Sequence, residues 1–499
     1  MAFDIDLVEE VKQHYLGIID VLSQSERPCY IHFDEKRFYP EMWSAIRAIN
    51  NTLSNYRGVP IALYTGKSFE TYSAIHAILL SGNVWLPLNP DHPPERNKQM
   101  LEIAQPSMII SDCELPDELT FFAKVSEILV MELSELTVQE PLNNFPIEDF
   151  SPEEISIIYF TSGSTGKPKG VPVTRQSYIR NINNILEVLP LKKGDIFADY
   201  HDLGFIISVP IIFPCILCEG ALVPAKSKSE MIFVTKSLVE NRINVLITVP
   251  STLARIRKAS PEGVNGLVLN TLIMCGEPFH LDLLDYCTDK IKPEAVFNFY
   301  GSTEVGPWTF FHKCSRDDIS RFEQFGMVPI GTVLPGNNIM IEDDELLCAG
   351  PQITPGYLGR IGKDRFIEND NNRWYRTGDK IVKFEDVYVC KGRLDAQVKI
   401  DGYRVDLGEA EAHLRSLDGV TGVVCFIHGE DTESEMIAAL NSKRLYTTVD
   451  VRAHLKKRLP AYMMPRKIMI LKEWPLNKNG KVDRVLIKEM FKASKNGVK

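Results

Sequence analysis

The sequence predicts an α/β protein with a large N-terminal domain and a small α+β C-terminal domain. Apolar runs of strand length alternate with amphipathic segments between about residues 27 and 350, which is typical of parallel strands connected by helices. Residues 325–392 carry short apolar runs separated by acidic turns, which predicts a strand-rich region. At 499 residues the chain is too long for a single hydrophobic core.

Local patterns predict the individual elements. Strands are predicted for the apolar runs at 59–64, 108–110, 155–160, 245–249, 271–274, 295–297, 338–341, 345–348, 387–390 and 423–427. A break at 391–395 precedes about a hundred residues with their own strand signals and a helix pattern at 449–459, enough for a separate domain.

Composition and charge exclude several functions. A net charge of −10 argues against non-specific binding to nucleic acid. No basic segment precedes an apolar stretch at the N-terminus, so we expect no signal peptide. The longest uncharged stretch, 203–218, contains two prolines and is short for a membrane span, so we expect it in the core. The ten cysteines show no zinc spacing and are expected to be reduced, mostly buried thiols in the cytoplasm.

A loop rich in glycine, hydroxyl and lysine residues follows the apolar run 155–160. Glycines let backbone N–H groups approach an anion, hydroxyls donate hydrogen bonds to it, and lysines neutralise it. This chemistry suits a polyphosphate, although such composition is also found in flexible surface loops. The loop is not a Walker motif, because Pro168 disfavours the helix start that would follow the lysine. The candidate residues are Thr161, Ser162, Gly163, Ser164, Thr165, Gly166, Lys167 and Lys169.

Three further short segments carry candidate chemistry. Residues 300–304 combine an aromatic ring, a glycine, hydroxyls and a carboxylate, a set able to stack a purine and hold Mg²⁺. Residues 375–379 end a strand-like run at an aspartate, and residues 479–484 form a basic turn near the C-terminus. By composition alone each of the three is also an ordinary turn.

Together, in this order, the four segments resemble the motifs of the adenylate-forming superfamily, which includes acyl- and aryl-CoA synthetases, luciferases and peptide-synthetase adenylation domains. The resemblance implies layered α/β subdomains plus a distorted β-barrel in residues 1–394. It also implies a mobile α+β domain in residues 395–499, with its hinge at Asp395.

The same resemblance implies a role for each motif residue. The loop at 161–170 would grip the β- and γ-phosphates of ATP, with Gly276 and Glu277 also in the ATP site. The remaining roles are adenine stacking by Tyr300, α-phosphate contact by Thr303, Mg²⁺ binding by Glu304, ribose binding by Asp379 and nucleotide contact by Arg393. Lys481 would be the catalytic lysine that bridges the substrate carboxylate and the α-phosphate, where a cation stabilises the charge that develops.

The hinge segment, 392–409, looks like the form found in peptide synthetases and D-alanine–carrier protein ligases. In that branch Gly402 lines a tunnel for a phosphopantetheine thiol. Because only fifteen residues follow Arg484, we expect an acyl or peptidyl carrier protein in trans.

The substrate acid is predicted less directly. Asp202 is in the position of the aspartate that pairs with an amino-acid ammonium, although residues 200–204 also resemble fatty-acyl-AMP ligases. Cys275 is similar to the cysteine that lies against the substrate in D-alanine–carrier protein ligases. By the same alignment the pocket is lined by His201, Leu203, Ile206, Thr248, Ile273, Phe299, Pro307 and Trp308. Two large rings favour a small acid, and hydrophobic pockets separate glycine from alanine only weakly.

The sequence therefore predicts a Mg·ATP-dependent ligase. It would activate a small amino acid, such as D-alanine, alanine, glycine or serine, with release of pyrophosphate, and transfer it to a carrier-protein thiol. A fatty-acid, CoA or other carboxylate ligase is the alternative enzyme, and a catalytically silent nucleotide-binding protein is the second alternative.

Overall fold

The computed structural model of the chain describes residues 2–142, 145–163, 167–360, 362–369, 372–394, 397–429, 434–471, 474–475 and 482–496. It forms two compact units, which are described separately. Unit 1 comprises Met1–Pro90, Met100–Phe160 and Gly170–Leu394, and unit 2 comprises Asp91–Gln99, Thr161–Lys169 and Asp395–Lys499. The domain limits 1–394 and 395–499 stay a prediction.

A nine-stranded sheet forms one layer of unit 1. Its order is β15-β14-β13-β12-β11-β9-β10-β1-β2, with parallel strands from β13 to β1 and antiparallel strands at both ends. The strands are β1 (Pro28–His32), β2 (Glu35–Phe38), β9 (Ile196–Asp199), β10 (Ala221–Pro224), β11 (Val245–Thr248), β12 (Thr271–Cys275), β13 (Ala295–Ser302), β14 (Gly306–Cys314) and β15 (Thr332–Val333).

A six-stranded sheet forms the second layer, in the order β6-β5-β3-β4-β7-β8. Its strands are β3 (Pro60–Tyr64), β4 (Val84–Leu88), β5 (Met108–Ser111), β6 (Leu129–Glu132), β7 (Ile155–Thr161) and β8 (Lys169–Thr174). The central strands are buried along their length, which explains why they read as continuous apolar runs rather than alternating ones.

Helices surround and separate these layers. Those up to residue 188 are α1 (Ala2–Gln24), α2 (Tyr39–Leu53), α3 (Phe69–Leu80), α4 (Pro94–Ala104), α5 (Asp117–Val125), α6 (Leu133–Leu136) and α7 (Arg175–Val188). The later ones are α8 (Ser208–Leu217), α9 (Lys228–Ile232), α10 (Val234–Glu240), α11 (Pro250–Ala259), α12 (Leu281–Tyr286) and α13 (Asp318–Arg321). Short 3₁₀ or π turns lie at Ile147–Asp149, Cys287–Ile291, Glu323–Phe325, Leu358–Arg360 and Lys363–Arg365.

The main hydrophobic core joins the two sheets of unit 1 through α3. This helix is buried nearly all round and begins at Ser68, whose hydroxyl accepts the Thr71 N–H at 3.1 Å. Most of the stretch 203–218 forms helix α8, which lies in the same core, as the composition of the stretch predicts. Among the described residues, no helix is both long and apolar enough to cross a membrane.

The strand-rich region of unit 1 forms a five-stranded antiparallel sheet. Its strands are β16 (Asn338–Glu342), β17 (Glu345–Ala349), β18 (Phe366–Asn369), β19 (Asn372–Phe384) and β20 (Val387–Arg393). The order is β16-β17-β19-β18, with β20 paired to the long β19. The strands predicted at 338–341, 345–348 and 387–390 are confirmed, and the distorted β-barrel stays a prediction.

Unit 2 contains a hairpin, a three-stranded sheet and helices, so its α+β class is confirmed. The elements are β21 (Gln397–Ile400), β22 (Tyr403–Asp406), α14 (Leu407–Arg415), β23 (Val420–His428), β24 (Glu435–Ser442), α15 (Thr448–Lys456), a 3₁₀ turn (Ala461–Met463), β25 (Lys467–Ile470) and α16 (Arg484–Asn496). The sheet order is β23-β24-β25. The helix predicted at 449–459 is observed as Thr448–Lys456. It begins one residue earlier, because Thr447 and Asp450 form a capping box, and it ends three residues earlier.

The ten cysteines are all free thiols, and six of them are buried. Their side chains act as small apolar groups in the strands and helices that carry them.

Two histidines are buried in the core of unit 1. Burial lowers the pKa of His14 to about 3 and that of His76 to about 4. Both imidazoles are therefore neutral in the folded chain at neutral pH, whereas an exposed imidazole titrates near 6.5.

Acidification is expected to lower the free energy of unfolding, because these histidines become protonated in the unfolded chain before they do so in the folded one. The loss of stability begins at pH 6.5, where the unfolded histidines titrate, and for His76 it ends at about pH 4. Between its unfolded and folded pKa values, each histidine lowers the free energy of unfolding by about 1.4 kcal/mol for every pH unit of acidification. Urea unfolding between pH 7 and pH 4 measures it. His76→Phe should make the free energy of unfolding depend less steeply on pH, and half-buried His413→Gln should not. Equal pH dependence in the wild type and both variants would contradict the role given to His76.

Candidate active site

The candidate acid-binding residues of unit 1 gather at one edge of the nine-stranded sheet. Parallel strands all end at the same edge, and ligands of open α/β sheets bind there. Thr248 is the last residue of β11 and Cys275 the last of β12, and Cys275 is aligned with Phe299 of β13. Five of the predicted pocket residues belong to one buried hydrophobic cluster, and Ile206 packs against it. The five are Leu203, Ile273, Cys275, Phe299 and Trp308.

Two aromatic rings are stacked at this edge. The rings of Phe299 and Trp308 have centroids 4.1 Å apart at an interplanar angle of 28°, and both are buried. Trp308 follows Pro307 in β14, the antiparallel neighbour of β13. Both rings belong to the hydrophobic cluster at this edge, where their stacked arrangement adds to the packing.

Thr248 and Cys275 lie against each other beside this stack. The Cys275 thiol donates to the Thr248 carbonyl at 3.8 Å. The Thr248 hydroxyl is buried and has no hydrogen-bond partner among the described residues. A buried polar atom of this kind is stabilised when a ligand group bonds to it.

Polar groups of the loop after β9 complete the edge. One oxygen of Asp202 accepts the Gly204 N–H at 2.7 Å, and the other accepts the side-chain amide of Asn89. The half-buried His201 loses solvation in this loop, which lowers its pKa to about 4. Its Nε2–H donates to the Ile247 carbonyl at 3.2 Å. His201 is therefore neutral, whereas Asp202 supplies a carboxylate.

A buried ion pair that sequence reasoning missed anchors this loop. The Lys67 ammonium donates to the Asp199 carboxylate at 3.0 Å and to the Asp199 carbonyl at 2.8 Å. The Tyr72 hydroxyl donates to the other carboxylate oxygen at 2.5 Å, and the Asp199 side chain is fully buried. Asp199 ends β9, so the pair fixes the start of the Asp202 loop. A Thr-Gly-Lys-Ser turn after a predicted strand was the available signal for Lys67.

The candidate ribose ligand, Asp379, pairs with two other predicted residues of unit 1. The Tyr300 hydroxyl donates to its Oδ2 at 2.5 Å, and Arg393 donates to its Oδ1 at 2.9 Å. Two effects raise the pKa of Tyr300 well above its usual range: burial, which is the larger, and the negative charge of Asp379. Tyr300 therefore keeps its proton and remains the donor. The register of β19 and β20, which aligns Asp379 with Arg393, produces this arrangement.

The candidate metal ligand, Glu304, follows Thr303 in the turn between β13 and β14. Its buried carboxylate accepts the Tyr357 hydroxyl at 2.8 Å, and Tyr357 is bonded to Tyr375 at 3.0 Å. These two tyrosines were not predicted, since nothing in the local sequence ties them to Glu304. The described residues contain no group of three or more His, Cys, Asp or Glu suited to a metal.

Gly276 and Glu277 follow β12 in unit 1. The Glu277 carboxylate accepts the N–H of Ser251 at 2.8 Å and its hydroxyl at 3.2 Å. Ser251 lies in the first turn of α11, so Glu277 caps this helix, where a negative charge is favourable.

In unit 2 the first residues of the candidate phosphate loop bond to residues of the C-terminal segment. The Ser162 hydroxyl donates to the Arg404 carbonyl at 2.9 Å and accepts the Asp406 N–H at 3.1 Å. The Gly163 N–H donates to the Glu409 carboxylate at 3.1 Å. Two of the donors expected to bind phosphate, the Ser162 hydroxyl and the Gly163 N–H, are therefore engaged by protein groups in this structure.

The glycine at position 163 is required by a close backbone approach. A Cβ there would lie 2.3 Å from the Lys167 carbonyl, closer than side chains tolerate. Lys167 itself is exposed and Lys169 is half-buried.

Glu409 also forms a buried ion pair within unit 2. Its second oxygen accepts the Arg96 guanidinium at 2.7 Å, and the Arg96 and Glu409 side chains are 5% and 0% exposed. Gly402, the predicted tunnel residue, lies in the turn between β21 and β22. Five predicted residues lie outside the described part of the chain: Ser164, Thr165, Gly166, Asp395 and Lys481.

Known proteins resemble this chain in sequence. Residues 20–358 match the family described as AMP-binding enzyme. The chain is 30% identical over 494 residues to the delta-poly-L-ornithine synthetase of Acinetobacter baumannii, covering 93% of this chain and 35% of that protein. The chain thus spans about a third of that relative's length. It is 26% identical to the D-alanine–D-alanyl carrier protein ligase of Listeria innocua, covering 92% of this chain and 94% of the ligase.

The fold is also similar to a solved structure, the Vibrio cholerae adenylation domain AlmE in complex with glycyl-adenosine-5'-phosphate. The TM-score is 0.81 at 20% identity, covering 96% of this chain and 98% of that one. At this identity the likeness concerns the fold.

The Arg96–Glu409 pair is expected to be important for the stability of unit 2. Glu409→Gln removes the charge that compensates buried Arg96, which should lower the free energy of unfolding by about 3–5 kcal/mol. Urea unfolding measures this loss. The double variant Arg96→Met, Glu409→Leu should recover most of it, and exposed Glu489→Gln should change stability by less than about 0.5 kcal/mol. A Glu409→Gln protein as stable as the control would contradict the assignment.

Proposed function

Because the chain belongs to the AMP-binding enzyme family and is an ATP-dependent, adenylate-forming ligase, we propose that it activates a small amino acid. A carboxylate oxygen of the acid attacks the α-phosphorus of ATP, and the bond to the β-phosphate breaks with release of pyrophosphate. The product of this step is an aminoacyl-adenylate. We place the reaction in the cytoplasm, where free thiols stay reduced.

The observation that carries the choice of a small acid is the Phe299–Trp308 stack beside Cys275. The two rings, with centroids 4.1 Å apart, are both buried, and we infer that they leave room only for a small side chain. The Thr248 hydroxyl has no hydrogen-bond partner among the described residues. It lies on β11, beside the strand that ends at Cys275, and is available to a polar group of the acid. Alanine, D-alanine, glycine and serine are the acids of this size that we propose.

Asp202 supports an amino acid over a fatty acid. Its carboxylate is half-buried, and a carboxylate in such a place forms a strong charge-assisted hydrogen bond with an ammonium group. Neutral His201 next to it does not compete for this charge. The ligase from Listeria innocua, which the chain matches over nearly its whole length, is named for an amino acid, D-alanine.

The nucleotide is proposed to bind through Asp379, Tyr300 and Thr303. An ionised carboxylate has about four acceptor positions, so Asp379 can accept ribose hydroxyls in addition to its bonds from Tyr300 and Arg393. Glu304 is the proposed Mg²⁺ ligand, since magnesium binds through one or two carboxylates together with phosphate oxygens. When bound, the ion neutralises charge on the phosphates.

Lys481 is proposed to neutralise charge on the attacking carboxylate and the α-phosphate. The loop residues from Thr161 to Lys169 would hold the outer phosphates, with Gly276 and Glu277 also in the ATP site. For Ser162 and Gly163 this requires exchange of their present bonds to Arg404 and Glu409 for bonds to phosphate.

The second step we propose is transfer of the aminoacyl group to the phosphopantetheine thiol of a carrier protein. The thiol sulfur attacks the adenylate carbonyl, a C–S bond forms and AMP leaves. The D-alanyl carrier protein in the name of the Listeria ligase supports this acceptor over CoA. Gly402 is proposed to line the path of the thiol, and Asp395 to be the hinge.

Pyrophosphate exchange with a panel of acids tests the substrate. We expect exchange with alanine, D-alanine, glycine or serine. Asp202→Asn should raise the KM for the amino acid by about 10–100-fold with the KM for ATP unchanged, because a charged hydrogen bond is lost. Exposed Asp117→Asn is the control.

Other outcomes would identify the alternatives. Exchange only with acids that lack an amine would support a fatty-acid or other carboxylate ligase, which the resemblance of residues 200–204 favours. Exchange with no acid would indicate a catalytically silent nucleotide-binding protein.

Lys481→Ala is expected to slow adenylate formation by about 100-fold or more, since removal of one preorganised charge stabiliser costs that much. Single-turnover formation of the adenylate measures this step. Lys478→Ala, three residues earlier, should retain the wild-type rate. Full activity of the Lys481→Ala protein would remove this lysine from the mechanism.

A further inference from the structure

Asn181, a buried residue of α7, bonds to both backbone groups of Trp308. Its side-chain amide donates to the Trp308 carbonyl at 3.1 Å, and its side-chain oxygen accepts the Trp308 N–H at 3.2 Å. Asn181 is 1% exposed, so neither bond competes with water. The Asn181 amide thus makes the two hydrogen bonds to the Trp308 backbone that a neighbouring strand would otherwise make.

Trp308 needs such a partner because it lies in a β-bulge. The pairing of β13 with β14 passes from Tyr300 opposite Phe310 to Ser302 opposite Gly306. One residue of β13 therefore faces three residues of β14, and Trp308 is the middle one. On the other side β15 is paired only with Phe310 and Phe311. Bulges near binding sites redirect side chains, and the backbone groups they release need other partners.

Gly306 keeps the helix and the bulge in direct contact. Its φ is +87°, in the left-handed region that favours glycine, and a Cβ there would lie 2.8 Å from the Asn181 amide nitrogen. The helix thus lies against the backbone of the bulge with no side chain between them.

We propose that Asn181 is a positioning residue for acid selectivity, which holds the bulge so that the Trp308 ring stays stacked on Phe299. This inference rests on the proposed function, in which Trp308 lines the acid pocket. Without the two hydrogen bonds the backbone at Trp308 is released, the ring moves, and the pocket no longer favours small acids.

Asn184 provides a matched control on the same helix. It is 4% exposed, and its amide donates to the Pro335 carbonyl at 3.0 Å. Loss of this bond removes an interaction of similar kind and burial without touching Trp308.

The position of Trp308 can be tested without any activity. The full chain has five tryptophans, and labelling with 5-fluorotryptophan gives ¹⁹F resonances, of which Trp308→Phe identifies one. Asn181→Ala should shift or broaden the Trp308 resonance, and Asn184→Ala should not. An unchanged resonance in folded Asn181→Ala protein would overturn the proposal. If that variant does not fold, Asn181→Leu, which fills a similar volume, gives the same comparison.

Selectivity is tested by pyrophosphate exchange with glycine, alanine and leucine. Asn181→Ala should raise the KM for the preferred small acid by about tenfold and increase relative exchange with leucine, since pocket shape discriminates on this scale. The KM for ATP should change less than twofold, and Asn184→Ala should keep wild-type selectivity. Equal effects of the two variants would overturn this inference alone. Wild-type protein that exchanges with no amino acid would overturn the proposed function, and the ¹⁹F comparison would still decide the position of Trp308.

Discussion

The buried ion pair between Lys67 and Asp199 is the constraint from which the Asp202 loop of the candidate site starts. Lys67 follows β3 of the six-stranded sheet, and Asp199 ends β9 of the nine-stranded sheet, so the pair joins the carboxyl ends of both sheets in unit 1. Neither charge is tolerated in this environment without the other. Because ammonium, carboxylate, carbonyl and the Tyr72 hydroxyl must meet in one geometry, the loop that begins after Asp199 has a defined starting point.

Hydrogen bonds from tyrosine and arginine hold the two carboxylates proposed to meet the nucleotide. Asp379 is bonded to Tyr300 and Arg393, and Glu304 is bonded to Tyr357. A carboxylate fixed in this way needs little reorganisation when a ribose or a metal ion arrives, which is the usual advantage of a preorganised polar site. The candidate acid-binding edge is held in place by packing instead, through the Phe299–Trp308 stack.

Much of this protein can be predicted from its sequence. The apolar runs 245–249 and 271–274 form β11 and β12. Local motifs pointed to Tyr300, Asp379 and Arg393, which the structure brings together, and the phosphate loop stays a prediction. Partners distant in sequence could not be predicted. Lys67 and Asp199 are 132 residues apart, and Asn181 and Trp308 are 127 apart, so neither pair leaves a periodic or local signal. Such contacts exist only once the sheets have formed, and an asparagine in a helix reads as an ordinary polar residue.

The bond between Gly163 and Glu409 has a consequence for the energetics of anion binding. One N–H group serves one acceptor well, and here that acceptor is a carboxylate tethered within the same unit. A phosphate that binds this N–H must therefore displace the Glu409 carboxylate, which is present at a fixed, high effective concentration. The apparent affinity of the loop for an anion is then the difference between the binding energies of the anion and of Glu409. It changes with every substitution that strengthens or weakens the Arg96–Glu409 ion pair.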